Sequence, residues 1–459
     1  MKQISRRHFL QGTSLTAFGF WAASGLSPVV RAASPNERIA VAGIGIGGKG
    51  GGDVANAARW GDIVAVCDID RGRLAGAQKR YEGAKAYTDF RKLFDEMEKS
   101  IDAVTVSTSD HVHAAAALMA MRRGKHVYAQ KPLTRTVYEA RLMGKTALER
   151  KVCTQMGNQG SASDGLRKTA AQLQAGVLGN VTEIHIWTNR PIWPQGIDRK
   201  KQSDFPKDQV EKGLQNVDWD SWIGPAPMRE FLPNVYHDFK WRGWWDFGTG
   251  ALGDICCHSF NMAFVGLDLR NPASVIAKTT GHNRDSFPSS SMVTFQFPAR
   301  GKRGAVKFIW YDGGWKPNDE ILGDHGFSNK DDNGILLIGE KGYIRGSQII
   351  GVDPIKDVDV RFAPKTDDAN EDASHSLEWG TAIKENKPEN CWSNFTTTSG
   401  PLTETVLAGN LAVWNADKPN EEGDLIEWDA VKMKITNDVK TSGLDELIQP
   451  VYRKGYELD

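Results

Sequence analysis

The sequence predicts a parallel, doubly wound α/β domain followed by a larger domain of mixed strands and helices. Three observations carry this. Apolar runs alternate with helix-like segments from residue 38 to residue 156. A glycine-dense turn follows the first run. Beyond residue 157, alternating β-like stretches lie between long, tryptophan-rich connections. The 459 residues are 40% hydrophobic and 25% charged, which fits two soluble globular domains. Basic and acidic residues balance at 57 each, which argues against nucleic acid or an anionic membrane as partner. Five scattered cysteines (Cys67, Cys153, Cys256, Cys257 and Cys391) match neither a disulfide framework nor a zinc spacing, so no metal is expected.

Residues 1–33 read as an export signal. Ser5-Arg6-Arg7-His8-Phe9-Leu10 is a twin-arginine pattern, a moderately apolar stretch runs from Thr13 to Val30, and Ala32-Ala33 offers a cleavage site. The glycine, serine and threonine content disfavours a stable membrane span. This route carries folded proteins, so a periplasmic protein that takes its cofactor with it is expected.

Residues 34–156 form the first domain. Arg38 to Ile44 reads as a buried strand entering Gly45-Ile46-Gly47-Gly48-Lys49-Gly50-Gly51-Gly52, with a helix from Asp53 to Arg59. GxGxxG fits from Gly43 or from Gly45, and the second register leaves a full strand before the first glycine. Such a turn lets backbone amides approach a pyrophosphate, which makes Gly45, Ile46, Gly47, Gly48 and Gly50 candidate dinucleotide contacts. A second strand, Ile63 to Cys67, ends at Asp68. An acid there accepts from adenosine ribose hydroxyls and favours NAD, while Arg71 and Arg73 keep NADP open. Helix Asp89–Glu98, strand Ala103–Ser107, helix His113–Arg123, strand His126–Ala129, helix Val137–Glu149 and strand Val152–Met156 continue the alternation. Ligands of open α/β sheets sit at the carboxyl ends of the strands, so two ends stand out. One holds Ser107, Thr108 and His113, read with Asp110 as a cofactor loop and helix cap rather than a metal site. The other holds Gln130-Lys131-Pro132, where Lys131 beside a nicotinamide is placed to stabilise a developing alkoxide.

Residues 157–459 form the second domain. Val181–Thr188, Ser291–Phe297, Gly304–Trp310 and Gly334–Ile338 alternate like strands, and Pro401–Trp414 reads as an amphipathic packing helix. The run from Ile192 to Trp245 reads as a substrate-facing loop region. Of Trp193, Trp222, Trp241, Trp244 and Trp245, one or two are expected at the site, where a ring can stack on an apolar ligand face, and the rest to fill core. In Gly250-Ala251-Leu252-Gly253-Asp254-Ile255-Cys256-Cys257-His258 a carboxylate and an imidazole stand four residues apart. On a helix both reach the same small volume.

The glycine turn, Gln130-Lys131-Pro132 and Asp254-x-x-x-His258 together resemble the Gfo/Idh/MocA oxidoreductases, over nearly the whole chain after residue 33. Met156-Gly157-Asn158-Gln159-Gly160, Asn189-Arg190-Pro191-Ile192-Trp193-Pro194 and Lys240-Trp241-Arg242-Gly243-Trp244-Trp245-Asp246 are similar to an exported bacterial subgroup. They make Asn158, Arg190, Trp193, Trp241, Arg242 and Trp245 candidate substrate contacts. The resemblance implies a Rossmann domain joined to an α+β domain with a large open, mostly antiparallel sheet, whose face often builds dimers or tetramers. It implies Lys131, Asp254 and His258 as the active-site residues. The implied reaction moves hydride between a sugar, glycoside or cyclitol and NAD or NADP, with oxidation at C3 of a glycoside as one form. In that scheme His258 takes the hydroxyl proton, Asp254 orients the ring or substrate, and Lys131 supports the alkoxide. One departure stands out: many members have Glu where this chain has Gln130, and a neutral amide cannot stabilise a lysine cation as a carboxylate would.

An exported enzyme meets no free NAD pool, so its dinucleotide must be bound before export and regenerated in place. A second sugar can accept the hydride. Alternatively, oxidation and re-reduction of one substrate bracket an elimination, which defines an NAD-dependent glycosidase or lyase. A non-catalytic carbohydrate-binding protein is the reading from another class, and the intact Lys131, Asp254 and His258 disfavour it.

Overall fold

The computed structural model describes residues 38–458, so the twin-arginine segment lies outside the described residues. The first domain runs β1 (Ile39–Ile44), α1 (Lys49–Ala57), β2 (Gly61–Cys67), α2 (Arg71–Arg80), β3 (Lys85–Tyr87), α3 (Phe90–Met97), β4 (Ala103–Val106), α4 (Asp110–Arg122), β5 (His126–Gln130), α5 (Val137–Arg150) and β6 (Thr154–Gly157). Its six strands pair in parallel in the order β3-β2-β1-β4-β5-β6. The order reverses between β1 and β4, which opens a crevice at their carboxyl ends. β4 and β5 are buried along their whole length, as expected of strands covered by helices on both faces. Local capping sets the helix starts: Asp70 accepts from the amides of Gly72 and Arg73, and Thr136 and Glu139 form a reciprocal capping box on α5.

Two differences from the sequence reading have simple causes. α1 begins at Lys49, inside the glycine turn, because Gly48 takes a positive φ of 53° and starts the helix four residues before Asp53. α2 and β3 were not expected. α2 buries none of its residues, so no apolar period marks it, and β3 has only three residues.

The second domain continues with α6 (Asp164–Gln174), β7 (Val181–Trp187), α7 (Lys207–Asn216), α8 (Trp219–Ile223), α9 (Gly250–Ser259), α10 (Asn261–Leu267), β8 (Ser274–Thr279), β9 (Ser291–Phe297), β10 (Val306–Tyr311), α11 (Asp319–Asp324), β11 (Gly334–Gly339), β12 (Tyr343–Arg345), β13 (Gln348–Ile350), α12 (Glu371–Glu385), α13 (Gly400–Asn415), β14 (Ile426–Asp429), β15 (Lys434–Ile435) and α14 (Leu444–Ile448). Nine strands form one sheet in the order β13-β12-β11-β7-β10-β9-β8-β14-β15, with β7 and β10 its one parallel pair among the described residues. α13 is buried nearly all round rather than amphipathic. It packs against α5 of the first domain and against β8 and α9 of the second, and so joins the two cores. No described helix is long and apolar enough to cross a membrane.

Residues 192–245 are more ordered than a loop. They hold α7, and α8 and a 3₁₀ turn at Lys240–Gly243 gather around an aromatic cluster of Trp222, Tyr236, Trp241, Trp244 and Phe247. This insertion reaches across to the first domain. The Asp218 amide donates to the Ile69 carbonyl at 2.9 Å, Arg71 Nε to the Gln215 carbonyl at 3.2 Å, and Arg73 pairs with Asp238.

Candidate active site

One large cavity, of about 470 Å³, opens between the carboxyl edge of the parallel sheet, α9 and the insertion. Gly45, Gly47, Gly48, Lys49 and Gly50 line one part of it. Gly45 has a φ of 75°, and a Cβ on it would stand 2.6 Å from the Ser107 carbonyl oxygen. A Cβ on Gly50 would run into the Gly45 carbonyl, so α1 passes the strand this closely only because residue 50 has no side chain. This is the register beginning at Gly45. Asp68 and Arg73 line the next part. The Asp68 carboxylate accepts from the amides of Ile46 and Asp70, both at 2.9 Å, which leaves each oxygen a further lone pair.

Ser107, Thr108, Ser109, Gln130, Lys131, Gln159, Trp241, Arg242 and His258 line the remainder, so the lysine of β5's end and the imidazole of α9 face one space. Lys131 Nζ lies 2.9 Å from Asp254 Oδ1 and donates to the Asp254 carbonyl at 2.8 Å. Arg242 Nε reaches the same Oδ1 at 3.1 Å, and its guanidinium stacks on Trp241 and Phe239. Burial opposes ionisation of Asp254, but Lys131 and Arg242 outweigh it and hold the carboxyl below the usual carboxylate range. Burial, then the Lys131 charge, push the His258 imidazole down to about 3, so the ring stands neutral at pH 7. Behind them Asp110 is buried, with Oδ2 accepting from Thr249 Oγ1 at 2.8 Å. Burial and the neighbouring Asp254 raise its carboxyl to about 8. The two neighbouring carboxyls are thus pushed in opposite directions, Asp254 toward the ionised form and Asp110 toward the protonated one.

Asp254 was expected to orient His258 or the substrate. Its carboxylate is held by Lys131 and Arg242, and no hydrogen bond joins it to His258 among the described residues. Several other expected contacts stand off the cavity. Ile46 packs its side chain with Val54 and Val66 behind the turn, and its amide is used by Asp68. His113 is fully buried. Its ring braces the Pro132 carbonyl at 2.9 Å and the Thr108 carbonyl at 3.1 Å, so it supports both cavity loops from behind. Asn158 is buried and donates to the Cys257 carbonyl at 3.3 Å, holding α9. Arg190 lies past the end of β7 and donates to the Asn189 side chain at 2.5 Å. Trp193 donates to Gln195 at 2.7 Å and flanks Arg242 at 5.8 Å. Trp245 stacks on Phe287 at 3.6 Å in the core. The last two bury their rings because a large apolar area gains more from core than from a wetted site.

Sequence reasoning missed the cavity residues Lys49, Gln159, Ser221, His237, Asp238 and Phe239. For Gln159 a signal existed, since it sits one residue past Asn158 in the Met156–Gly160 segment. The insertion residues reach the cavity only through tertiary packing.

Two family models match the chain. One, described as an oxidoreductase family with an NAD-binding Rossmann fold, covers residues 37–158. The other, described as the C-terminal α/β domain of that oxidoreductase family, covers residues 192–303. Inositol 2-dehydrogenase 2 of Saccharopolyspora erythraea is 33% identical over 129 residues, 27% of this chain and 36% of that protein. Glycosyl hydrolase family 109 protein 1 of Bacteroides thetaiotaomicron is 30% identical over 184 residues, 36% of this chain and 38% of that protein. The chain thus spans well under half the length of these curated relatives. Among solved structures, an inositol dehydrogenase homologue complexed with NAD+ from Azotobacter vinelandii superposes with a TM-score of 0.57 at 17% identity, covering 87% of this chain and 98% of that one. That likeness is one of fold.

Proposed function

The chain belongs to the Gfo/Idh/MocA family of oxidoreductases, and on that premise we propose that it moves hydride between a carbinol carbon of a sugar, glycoside or cyclitol and a nicotinamide dinucleotide. The observation that carries the reading is the single cavity lined by the glycine turn, Lys131 and His258 together. The residues present fit the dinucleotide. Gly45 and Gly50 let the turn and α1 pack closely on each other and on the loop after β4, which leaves the positive end of α1 at the cavity for a pyrophosphate, and Asp68 keeps lone pairs for ribose hydroxyls. A carboxylate there repels a 2′-phosphate, which favours NAD over NADP. When bound, nicotinamide supplies the hydride chemistry.

The chain's own groups handle the proton and the charge. His258, neutral at pH 7, takes the hydroxyl proton as the carbinol carbon gives up hydride and becomes a carbonyl. Such a weakly basic ring gains the proton only as negative charge develops on the substrate oxygen. Lys131 and Arg242, incompletely neutralised by Asp254, favour that charge. Trp241, which lines the cavity, offers an apolar face to a sugar ring. Oxidation at C3 of a glycoside is one form of the reaction.

Residues 1–33 direct twin-arginine export to the periplasm, the dinucleotide is bound before export, and the open sheet builds a homo-oligomer. The insertion supports a captive cofactor, because Ser221, Trp222, His237 and Asp238 wall the cavity opposite Asp68 and Arg73. A second reading, an NAD-dependent glycosidase or lyase working by transient oxidation and elimination, is favoured by the match to a glycosyl hydrolase family 109 protein. The test is to purify the mature protein, denature it and weigh what is released. NAD is expected, and release of neither NAD nor NADP refutes the reading. With glycosides, a ketosugar product then marks net oxidation, and cleavage without a ketone marks the second reading.

A further inference from the structure

Behind the cavity a single carboxylate oxygen joins three chain segments. Asp53, in the second turn of α1, is 4% exposed. Its Oδ2 accepts from Ser107 Oγ at 2.7 Å, just past β4, and from Gln130 Nε2 at 2.8 Å, at the end of β5. The other end of that amide, Gln130 Oε1, accepts from the Lys131 backbone N–H at 3.3 Å. Gly157 of β6 closes the slot, since a Cβ there would come within 2.5 Å of Gln130 Nε2. In this slot the side chain at 130 must donate at one end and accept at the other. An amide does both, whereas an ionised carboxylate only accepts. A glutamate at 130 would set a carboxylate oxygen at hydrogen-bond distance from Asp53 Oδ2, and two such groups cannot both ionise there.

We propose that Asp53 is a positioning residue for the hydride-transfer site: it holds Ser107 and, through Gln130, the backbone of Lys131 at the places that face the nicotinamide. The proposal rests on the reading of Lys131 given above. It also accounts for the amide in Gln130-Lys131-Pro132. The carboxylate stands on α1 in this chain, and position 130 answers it with a donor. Asp53 remains close to Lys49 on its own helix, to Asp372 of α12, which pairs with Lys49, and to Tyr128 of β5.

The test compares Gln130→Glu, Asp53→Asn, Asp53→Ala and the exchanged pair Asp53→Asn/Gln130→Glu in the cofactor-loaded protein. The first readout needs no substrate: the rate at which bound nucleotide is chased by excess labelled NAD. Gln130→Glu and Asp53→Ala are expected to speed release about tenfold or more, by loosening groups that must hold to well under 1 Å. The exchanged pair, with its donor and acceptor reversed, returns to within about threefold of wild type. In turnover, Gln130→Glu lowers kcat more than it raises KM, and the exchange rescues it. Wild-type release from Gln130→Glu overturns the proposal, as does an exchanged pair no better than Gln130→Glu. Should Gln130→Glu fail to fold, Asp53→Ala releasing nucleotide at the wild-type rate overturns it instead. If the wild type oxidises no carbinol, the reaction proposed above fails while the release series still decides on Asp53.

Discussion

Replacing Asp110 by Asn tests whether the acid behind the catalytic cluster is neutral. Asp110 is 1% exposed, and its Oδ1 is buried without a partner. Burial and Asp254 raise the carboxyl from 3.8 to about 8, against the opposing pull of Arg242, Thr249 and Lys131. A raised carboxyl binds its proton more tightly folded than unfolded. It therefore contributes stability that is complete below the unfolded value and is lost as pH rises toward 8. Between pH 6 and pH 8 the unfolded group is already ionised while the folded one is still giving up its proton, which removes about 2 kcal/mol across that window. Asparagine keeps the shape and an acceptor for Thr249 but does not titrate. The buried histidines have lowered values, so they lose stability only as pH falls, and they cancel between the two proteins. Urea unfolding at pH 6, 7 and 8 should show Asp110→Asn gaining about 2 kcal/mol on the wild type from the lowest to the highest pH. Parallel profiles would mean that Asp110 is already ionised at pH 6, and the neutral acid behind the cluster would be refuted.

Lys131→Met should lower turnover about a hundredfold or more while bound nucleotide still comes off on denaturation; wild-type kcat in this variant removes the lysine from the chemistry. Gly50→Ala puts a methyl against the Gly45 carbonyl, and the purified protein should carry little or no nucleotide by absorbance ratio and mass. Arg73→Ala breaks the contact to Asp238, so bound cofactor should exchange with labelled NAD several-fold faster, roughly as expected for loss of one ion pair. In Arg167→Met, Glu378 is left buried without its cation, whose Nη1 stands 2.9 Å away, and denaturant unfolding should show a loss of about 3–5 kcal/mol.

How much of this was open to sequence reading depended on how local the cause was. The glycine turn is set by neighbours along the chain, and the contact a Cβ on Gly50 would make with the Gly45 carbonyl fits the register chosen on strand length. β9 matches its expected limits because its alternation is complete, while α2 escaped for lack of any buried face. Ring count says nothing of direction, so which of the five tryptophans face the site was not legible: Trp222 and Trp241 line the cavity and Trp245 fills core. Charge balance is the least local property, and Gln130 shows why. Within its own tripeptide, Lys131 has no counter-ion beside the amide. In the fold Lys131 finds one in Asp254, 123 residues away, at 2.9 Å, and the amide is matched to Asp53, 77 residues in the other direction. A lysine already paired does not need a carboxylate at 130.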